Sequence, residues 1–193
     1  MSDATYRHIV EEAQRLFAQK GVTNTTVNDI AVASGKGRRT IYTYFNNKQE
    51  IYQAVVATEA NRMYDRLLAV VNKEMPPSEK FENYIEARLE CIREVVERNG
   101  SLRAEFFHDI WEVERARKKM SIHELDLLKR ILDEGVSKGV FIVHDTTVAA
   151  FILHSALKGL DVPYILNHFA KAGVERTRMR NLIADFLLYG IMK

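Results

Sequence analysis

The chain has 193 residues, of which 47% are hydrophobic and 28% charged, and its formal net charge is +2. A chain of this size can bury enough apolar surface for one small and one larger domain. The nearly neutral net charge excludes nucleic-acid binding through bulk basicity, so any such role requires locally clustered charge. The single cysteine, Cys91, excludes an intrachain disulfide framework. The N-terminus lacks the pattern of a signal peptide and we find no 18-residue apolar run, so we expect a cytoplasmic protein without a membrane span.

The first fifty residues predict three short helices. Apolar residues at helical spacing indicate a first helix over residues 5–19. The pair Thr26 and Asp29 fits a capping box and starts a second helix over residues 27–34. Gly35 can adopt the left-handed conformation that ends this helix, and a third helical pattern follows within a few residues. The arrangement is therefore helix, tight turn, helix.

The third helix lies in a concentration of positive charge. Between residues 30 and 49 there are four cations and no carboxylate. Such a segment attracts phosphate even when the whole chain is nearly neutral. A basic, aromatic-rich helix after a glycine turn is typical of a DNA-recognition helix. The four cations are Lys36, Arg38, Arg39 and Lys48.

The same segment resembles the N-terminal DNA-binding domain of the TetR family of bacterial transcriptional regulators. The resemblance rests on residues 25–31, 34–35 and 40–48, and it extends back to Ile9 and forward to Ile51. Several spaced positions agree together, which makes the pattern specific. It covers roughly the first quarter of the chain.

Three positions depart from the usual family pattern. Lys36, Gly37 and Arg39 stand where an apolar residue, a helix-capping serine and a small residue are common. The departures affect the start of the recognition helix and its base preference. By resemblance, the DNA-binding residues are Thr25, Thr26, Lys36, Gly37, Arg38, Arg39, Thr40, Tyr42 and Lys48.

These residues have different expected roles. Arg38 and Arg39 are expected to contact bases or phosphates, since no acid lies near them in the sequence. The hydroxyl of Tyr42 is expected to contact a phosphate. Thr26 serves equally well as a helix cap and Lys48 as a surface charge, and both alternatives stay open.

The rest of the chain is also predicted to be helical, which gives an all-α fold of about nine helices. We expect a DNA-binding domain over residues 1–47 and a larger helical domain over residues 48–193. The helix expected from residue 47 to residue 72 can bridge the two domains. Later helix boundaries are expected at Pro76 to Ser78, at Asn99 and Gly100, before Ser121, from Gly135 to Gly139, before Asp145 and at Gly173, and Pro163 is expected to kink or end the helix that contains it.

The resemblance also implies a role for the larger domain. In TetR-like proteins this domain dimerises through its last two long helices and encloses a small-molecule pocket. Both of the last two predicted helices here are apolar on more than one side, as expected of helices with two partners to cover them. One face can then serve the subunit core and the other a second copy. The expected interface residues are Ala149, Leu153, Leu157, Leu182, Phe186 and Tyr189.

A possible pocket lining follows from helical spacing, although aromatic residues at such spacing are usually core. No cofactor, metal or catalytic site is predicted, because the six histidines have no tight carboxylate or cysteine partner pattern. Phosphate-binding glycine loops and nucleophile elbows do not occur either. The candidate pocket residues are Tyr84, Arg88, Cys91, Phe107, Trp111, His123, Leu127, His154 and Lys158.

We therefore expect a homodimeric helix-turn-helix regulator, a repressor that binds a double-stranded DNA operator and is released by a small-molecule effector. Two other classes stay open. A DNA-associated structural or division-coordinating protein on the same fold would have a closed, dry core in the larger domain. An enzyme would have a cavity with converging titratable groups of perturbed pKa.

Overall fold

The computed structural model of the chain describes residues 3–98 and 110–192. Within these ranges the chain forms eight α-helices and one 3₁₀ helix, so the all-α prediction is confirmed. The helices are α1 (Asp3–Lys20), α2 (Val27–Ala33), α3 (Arg38–Tyr44), α4 (Lys48–Val71), α5 (Pro77–Arg98), α6 (Ile110–Ser137), α7 (Thr146–Ile165), the 3₁₀ helix η1 (His168–Ala172) and α8 (Arg176–Tyr189).

The predicted helix boundary before Ser121 is wrong. Ile110–Ser137 is one continuous helix of 28 residues, and Ser121 lies inside it. Serine favours a helix start but does not stop a helix as glycine or proline does, and the apolar spacing continues through Met120, Leu127 and Leu128. Residues 101–109 of the helix predicted upstream of this point lie outside the described residues.

Two features near the C-terminus were not predicted. After α7, which contains Pro163 and ends two residues later, the chain forms η1, entered through Asn167 in the left-handed conformation (φ 51°). In addition, the amide of Ile142 donates to the carbonyl of Ile191 at 2.8 Å. This single backbone pairing joins the α6–α7 connection to the C-terminal segment, and it involves residues far apart in the sequence, which local patterns do not reveal.

The described residues form two compact units, each with its own apolar core. The first contains residues up to Asn61 and the last residues of α5 from Val95, with the start of α6. The second contains residues 62–94 and the chain from Lys118 onward. The boundary between residues 47 and 48 stays a prediction. Side chains of the first core include Ile9, Phe17, Ile30, Ile41, Phe45 and Ile51.

Among the described helices, α7 is long and apolar enough to cross a membrane if only length and composition are considered. A core helix of a soluble protein meets the same criteria. Asp161 and His154 on α7 lie against Arg88 and Glu124 of the same unit. These paired ionisable residues join one side of α7 to α5 and α6 of the second unit.

Candidate nucleic-acid interface

The predicted capping box at the start of α2 is confirmed. The Thr26 hydroxyl accepts the amide of Asp29 at 3.1 Å, and the Asp29 carboxylate accepts the amide of Thr26 at 2.9 Å. The backbone hydrogen bond from Thr26 is the main reason that the pKa of Asp29 lies below its usual value. The reciprocal bonds fix where α2 begins and place a negative charge at the positive end of the helix dipole.

The turn between α2 and α3 is closed by backbone hydrogen bonds. Gly35 adopts a left-handed conformation with φ of 61°, which glycine takes without strain. The amide of Lys36 donates to the carbonyl of Ala31 at 2.9 Å, and the Ser34 hydroxyl donates to the carbonyl of Ile30 at 2.7 Å. The predicted helix, tight turn, helix is therefore confirmed.

Gly37 is the N-cap of α3 and has an extended backbone (φ −70°, ψ 149°). Its carbonyl accepts the amides of Thr40 and Ile41 at 2.9 and 3.2 Å. Because glycine has no side chain, the first amides of α3 receive no side-chain cap. The positive end of the α3 dipole thus lies at Arg38 and Arg39 without a side-chain cap.

One side of α3 packs against the core, and the side chains on its other side are exposed among the described residues. Ile41 and Phe45 are buried and hold the helix to the first core. Arg38, Arg39 and Tyr42 are exposed, with Tyr42 47% exposed. The helix therefore presents two cations and a phenol to solvent on a rigid support, which is the composition of a phosphate- and base-contacting surface.

The carboxylates closest to this segment in sequence are already engaged. The Asp29 carboxylate is hydrogen-bonded to Thr26 and lies 3.5 Å from the ammonium of Lys20. The Glu50 carboxylate accepts hydrogen bonds from the backbone amide and from the side-chain amide of Asn46. The bond from the Asn46 side chain is the largest cause of the lowered pKa of Glu50. Both acids are therefore tied to local polar groups.

The structure places two members of the predicted DNA-binding set differently from the rest. Thr25 is buried, and its hydroxyl donates to the carbonyl of Gly21 at 2.7 Å. The ammonium of Lys48 donates to the carbonyls of Val22 and Thr23 at 2.7 and 3.3 Å. Their contacts with phosphate stay predictions, whereas their contacts inside the protein are direct.

A largely buried group of ionisable residues joins three helices of the second unit. Arg88 on α5 donates from Nε to Glu124 on α6 at 2.6 Å and from Nη1 to Asp161 on α7 at 2.7 Å. Nδ1 of His154 on α7 lies 3.3 Å from the same Glu124 carboxylate. Tyr84 is packed beside this group, and its hydroxyl donates to the carbonyl of Glu124 at 3.5 Å. We call Arg88, Glu124, His154 and Asp161 the buried charge cluster.

The charges of this cluster stabilise one another. Burial is the largest single effect and would raise the pKa of Glu124, but the charge of Arg88 and the hydrogen bonds from His154 and Arg88 together outweigh it, so the pKa is lowered. Burial alone would likewise lower the pKa of Arg88, whereas Glu124 and Asp161 raise it above its usual value. Both groups are therefore charged at neutral pH, and the cluster is an ion network inside an apolar unit.

Comparison with known proteins identifies the first unit. Residues 9–55 match the family model described as bacterial regulatory proteins, tetR family. Residues 9–55 therefore form a DNA-binding domain of the TetR type. The chain is a DNA-binding regulator and not an enzyme, and α2 and α3 form its helix-turn-helix.

Three proteins of known sequence or structure are similar to this chain over most of its length. The helix-turn-helix-type regulator YhgD of Bacillus subtilis is 27% identical over 150 residues, which is 75% of this chain and 76% of YhgD. A transcriptional regulator of Cytophaga hutchinsonii has the same fold, with a TM-score of 0.80 at 23% identity over 99% of this chain and all of that one. SmeT, the repressor of the Stenotrophomonas maltophilia multidrug efflux pump SmeDEF, gives a TM-score of 0.69 at 19% identity over 99% of this chain and 92% of SmeT.

The structure brings together part of the predicted pocket set of this regulator. Tyr84, Arg88, Cys91, Leu127 and His154 are all buried in the second unit.

The remaining members of that set are placed differently. His123 is half-buried, and its ring packs against that of Tyr64 with centroids 4.5 Å apart and the planes tilted by 41°. Lys158 is exposed. Phe107 and the side chain of Trp111 lie outside the described parts of the structure. Sequence analysis overlooked Glu124 and Asp161, because their pairing with Arg88 depends on how three helices meet.

The last two helices expose apolar residues on one face each. On α7 these are Val148, Phe151 and Ile152, at spacing i, i+3, i+4. On α8 they are Leu182, Phe186 and Tyr189, at spacing i, i+4, i+7, and the last two are each 80% exposed. We call these six residues the exposed apolar faces of α7 and α8.

The predicted interface residues on α7 fall on its other face. Leu153 and Leu157 are buried in the core of the second unit, and Ala149 packs against that core. When a helix is apolar on two sides, the sequence does not tell which side faces the subunit's own core. The α8 members of the predicted set, by contrast, are all exposed.

Proposed function

We propose that this regulator is a cytoplasmic homodimeric repressor whose binding to a pseudo-palindromic operator is relieved by a small molecule. The observation that carries the proposal is the pair of exposed apolar faces on α7 and α8. Exposed phenylalanine and tyrosine side chains at regular helical spacing favour a covering partner. A second copy of the chain, placing two helices beside two, provides that partner in the form of a four-helix interface.

The DNA-binding part of the proposal uses the solvent-facing side of the helix-turn-helix. One α3 from each subunit enters the major groove of a half-site, and the half-sites lie one helical turn, roughly 34 Å, apart. Arg38 and Arg39 read base edges or bind phosphates, while Tyr42 and Thr26 bind phosphates. The other proposed contacts are Thr25, Lys36, Gly37 and Thr40.

The effector part of the proposal places the ligand in the second unit. SmeT has been solved in complex with triclosan, so a protein of this fold accommodates a small molecule. We propose that the ligand contacts residues around the buried charge cluster, among them Tyr84, Arg88 and His154. To release DNA, it must bind the DNA-incompetent arrangement more tightly than the competent one, since equal affinity shifts nothing.

Selection from a random duplex pool tests the operator. The expected product is a two-fold symmetric sequence with half-sites one helical turn apart, bound by a dimer. A selected sequence without symmetry, bound by a monomer, contradicts the homodimeric model. A screen of small molecules against the complex with the selected duplex then tests relief, which is seen as release of the duplex at saturating compound.

A further inference from the structure

We propose that Lys48 is a positioning residue for DNA binding. It ties the first turn of α4 to the turn between α1 and α2, residues 21–25, and it acts through the placement of α2 and not by touching a phosphate. The proposal rests on the DNA-binding function of the chain and assigns to Lys48 a role different from the one its sequence position suggests.

The contacts of Lys48 are long-range and well defined. Its ammonium lies 2.7 Å from the carbonyl oxygen of Val22 and 3.3 Å from that of Thr23, residues 26 and 25 positions earlier in the chain. An ammonium has three N–H donors, and a charged donor makes shorter and stronger hydrogen bonds than a neutral one. Two of the three donors are therefore directed at backbone carbonyls of the protein.

The turn that Lys48 binds leads directly into the helix-turn-helix. The amide of Thr25 donates to the same Val22 carbonyl at 3.3 Å, and the Thr25 hydroxyl donates to the carbonyl of Gly21 at 2.7 Å. The next residue, Thr26, is the N-cap of α2. Holding the turn therefore fixes the start of α2, and the backbone-closed turn after α2 passes that placement on to α3.

The exposure of Lys48 fits the same role. Lys48 is half-buried, whereas Arg38 and Arg39 are exposed and extend from the start of α3. A phosphate at Lys48 would have to share a cation that is already engaged by two carbonyls. Lys48 is also the first residue of α4, a 24-residue helix with residues in both compact units.

Salt dependence separates positioning from phosphate contact. The variants are Lys48→Met, which keeps the aliphatic stem, Lys48→Arg, which keeps the donors, and Lys36→Met as a matched loss of a predicted phosphate contact. Binding to a 30-base-pair duplex carrying the sequence selected from a random pool is measured from about 50 to 200 mM KCl. A lost phosphate contact makes the slope of log K against log salt shallower by about 0.9.

We expect Lys48→Met to bind about tenfold more weakly with an unchanged slope, since it loses hydrogen bonds from a charged donor and no counterion release. Lys48→Arg should recover part of the affinity, and Lys36→Met should show the shallower slope. A Lys48→Met slope shallower by about 0.9 overturns the proposal. Wild-type affinity for Lys48→Met overturns it as well.

Hydrogen exchange on the free protein gives a readout that needs no DNA. The amides of Thr25 and Ile30, which close the turn and the first turn of α2, should exchange faster in Lys48→Met and at the wild-type rate in Lys36→Met and Lys48→Arg. Unchanged exchange in Lys48→Met overturns the link. If no duplex is selected from the pool, the proposed operator binding fails, and the exchange measurement alone decides for or against the role of Lys48.

Discussion

At the scale of single residues, the protein uses its cations in two ways. Arg38 and Arg39 project from α3 into solvent, whereas Arg88 and Lys48 are directed at carboxylates or carbonyls of the protein itself. The sequence context of Lys48 resembles that of a phosphate ligand, yet its partners in the folded chain are backbone oxygens. The local environment of a charge, and not its position in a motif, determines what it binds.

Arg38 and Arg39 are predicted to differ in role because adjacent helix residues point about 100° apart. One of them should read guanine bidentately. Its replacement by alanine should cost about 1–3 kcal/mol in binding free energy and relax specificity at one operator position. Selection of duplexes by Arg38→Ala and Arg39→Ala checks this directly. Equal weakening on cognate and random DNA in both variants would exclude direct base readout.

Arg88→Met is predicted to destabilise the second unit strongly at neutral pH. The substitution leaves Glu124 buried without its cation, and breaking a buried ion pair in this way costs about 3–5 kcal/mol. Urea unfolding at pH 7 measures the loss. Lys129→Met provides a control, since the exposed pair that Lys129 forms with Asp133 should contribute under about 1 kcal/mol.

The pH dependence of the same pair has a defined sign. In the wild type the pKa of Glu124 is lowered from 4.5, so its contribution to stability is present above pH 4.5 and is lost as the pH falls through the folded-state pKa. In Arg88→Met, burial raises the pKa of Glu124. Lowering the pH then protonates this carboxylate and removes the cost of burying its unpaired charge. The difference in unfolding free energy between the two proteins should therefore shrink on acidification. A constant difference from pH 7 to pH 4 would contradict the assignment.

At the scale of helices, sequence and structure agree best where local chemistry decides. The capping residues Thr26 and Asp145 and the left-handed Gly35 act within a few positions of themselves, so their helix ends were predicted. Ser121 carries the same type of local signal without a helix breaker, and α6 continues through it. Local signals therefore predict starts reliably only where the preceding helix is also stopped.

The candidate sites follow the same division. The exposed side of α3 was predicted, because Ile41 and Phe45 at helical spacing mark the opposite, buried side. The pairing of Arg88 with Glu124 and Asp161 was not predicted, because the partners are 36 and 73 residues away in the sequence and local patterns do not reveal such contacts. Likewise, periodicity identified two apolar sides on α7 but not which side is buried.

The contact between Gly135 and Phe141 gives a prediction at the helix scale. A Cβ added at Gly135 in α6 would overlap the buried ring of Phe141, which also packs edge-on against Phe81. Gly135→Ala should therefore destabilise the second unit by about 1–3 kcal/mol, despite the better helix propensity of alanine. Gly159→Ala in α7 is the matched control, because nothing lies within 4 Å of its new Cβ. It should gain up to about 1 kcal/mol in thermal unfolding measurements.

At the scale of the whole molecule, the proposed dimer determines how tightly the regulator binds DNA. One α3 reads one half-site, and once it is bound, the second head of a dimer binds as an effectively intramolecular event. The proposed effector does not need to block α3. It needs only to favour a spacing of the two heads that does not match successive major grooves.

Phe186→Glu tests the dimer. Phe186 is 80% exposed in the single chain, so a carboxylate there leaves the subunit core intact but cannot be desolvated cheaply in an interface. We expect a folded monomer that keeps only weak half-site affinity. Ile122→Glu on α6 is the matched control, since Ile122 is 61% exposed and lies outside the exposed apolar faces of α7 and α8. It should remain a dimer with wild-type binding.

Sedimentation, circular dichroism and operator binding on both variants separate the outcomes for Phe186. A folded monomer with poor operator binding supports an interface built from α7 and α8. An unfolded Phe186→Glu chain would mean that this side chain is needed by the subunit itself, contrary to its exposure. A folded dimer with unaltered operator binding would remove Phe186 from the interface, and the exposed apolar faces would then need a different partner.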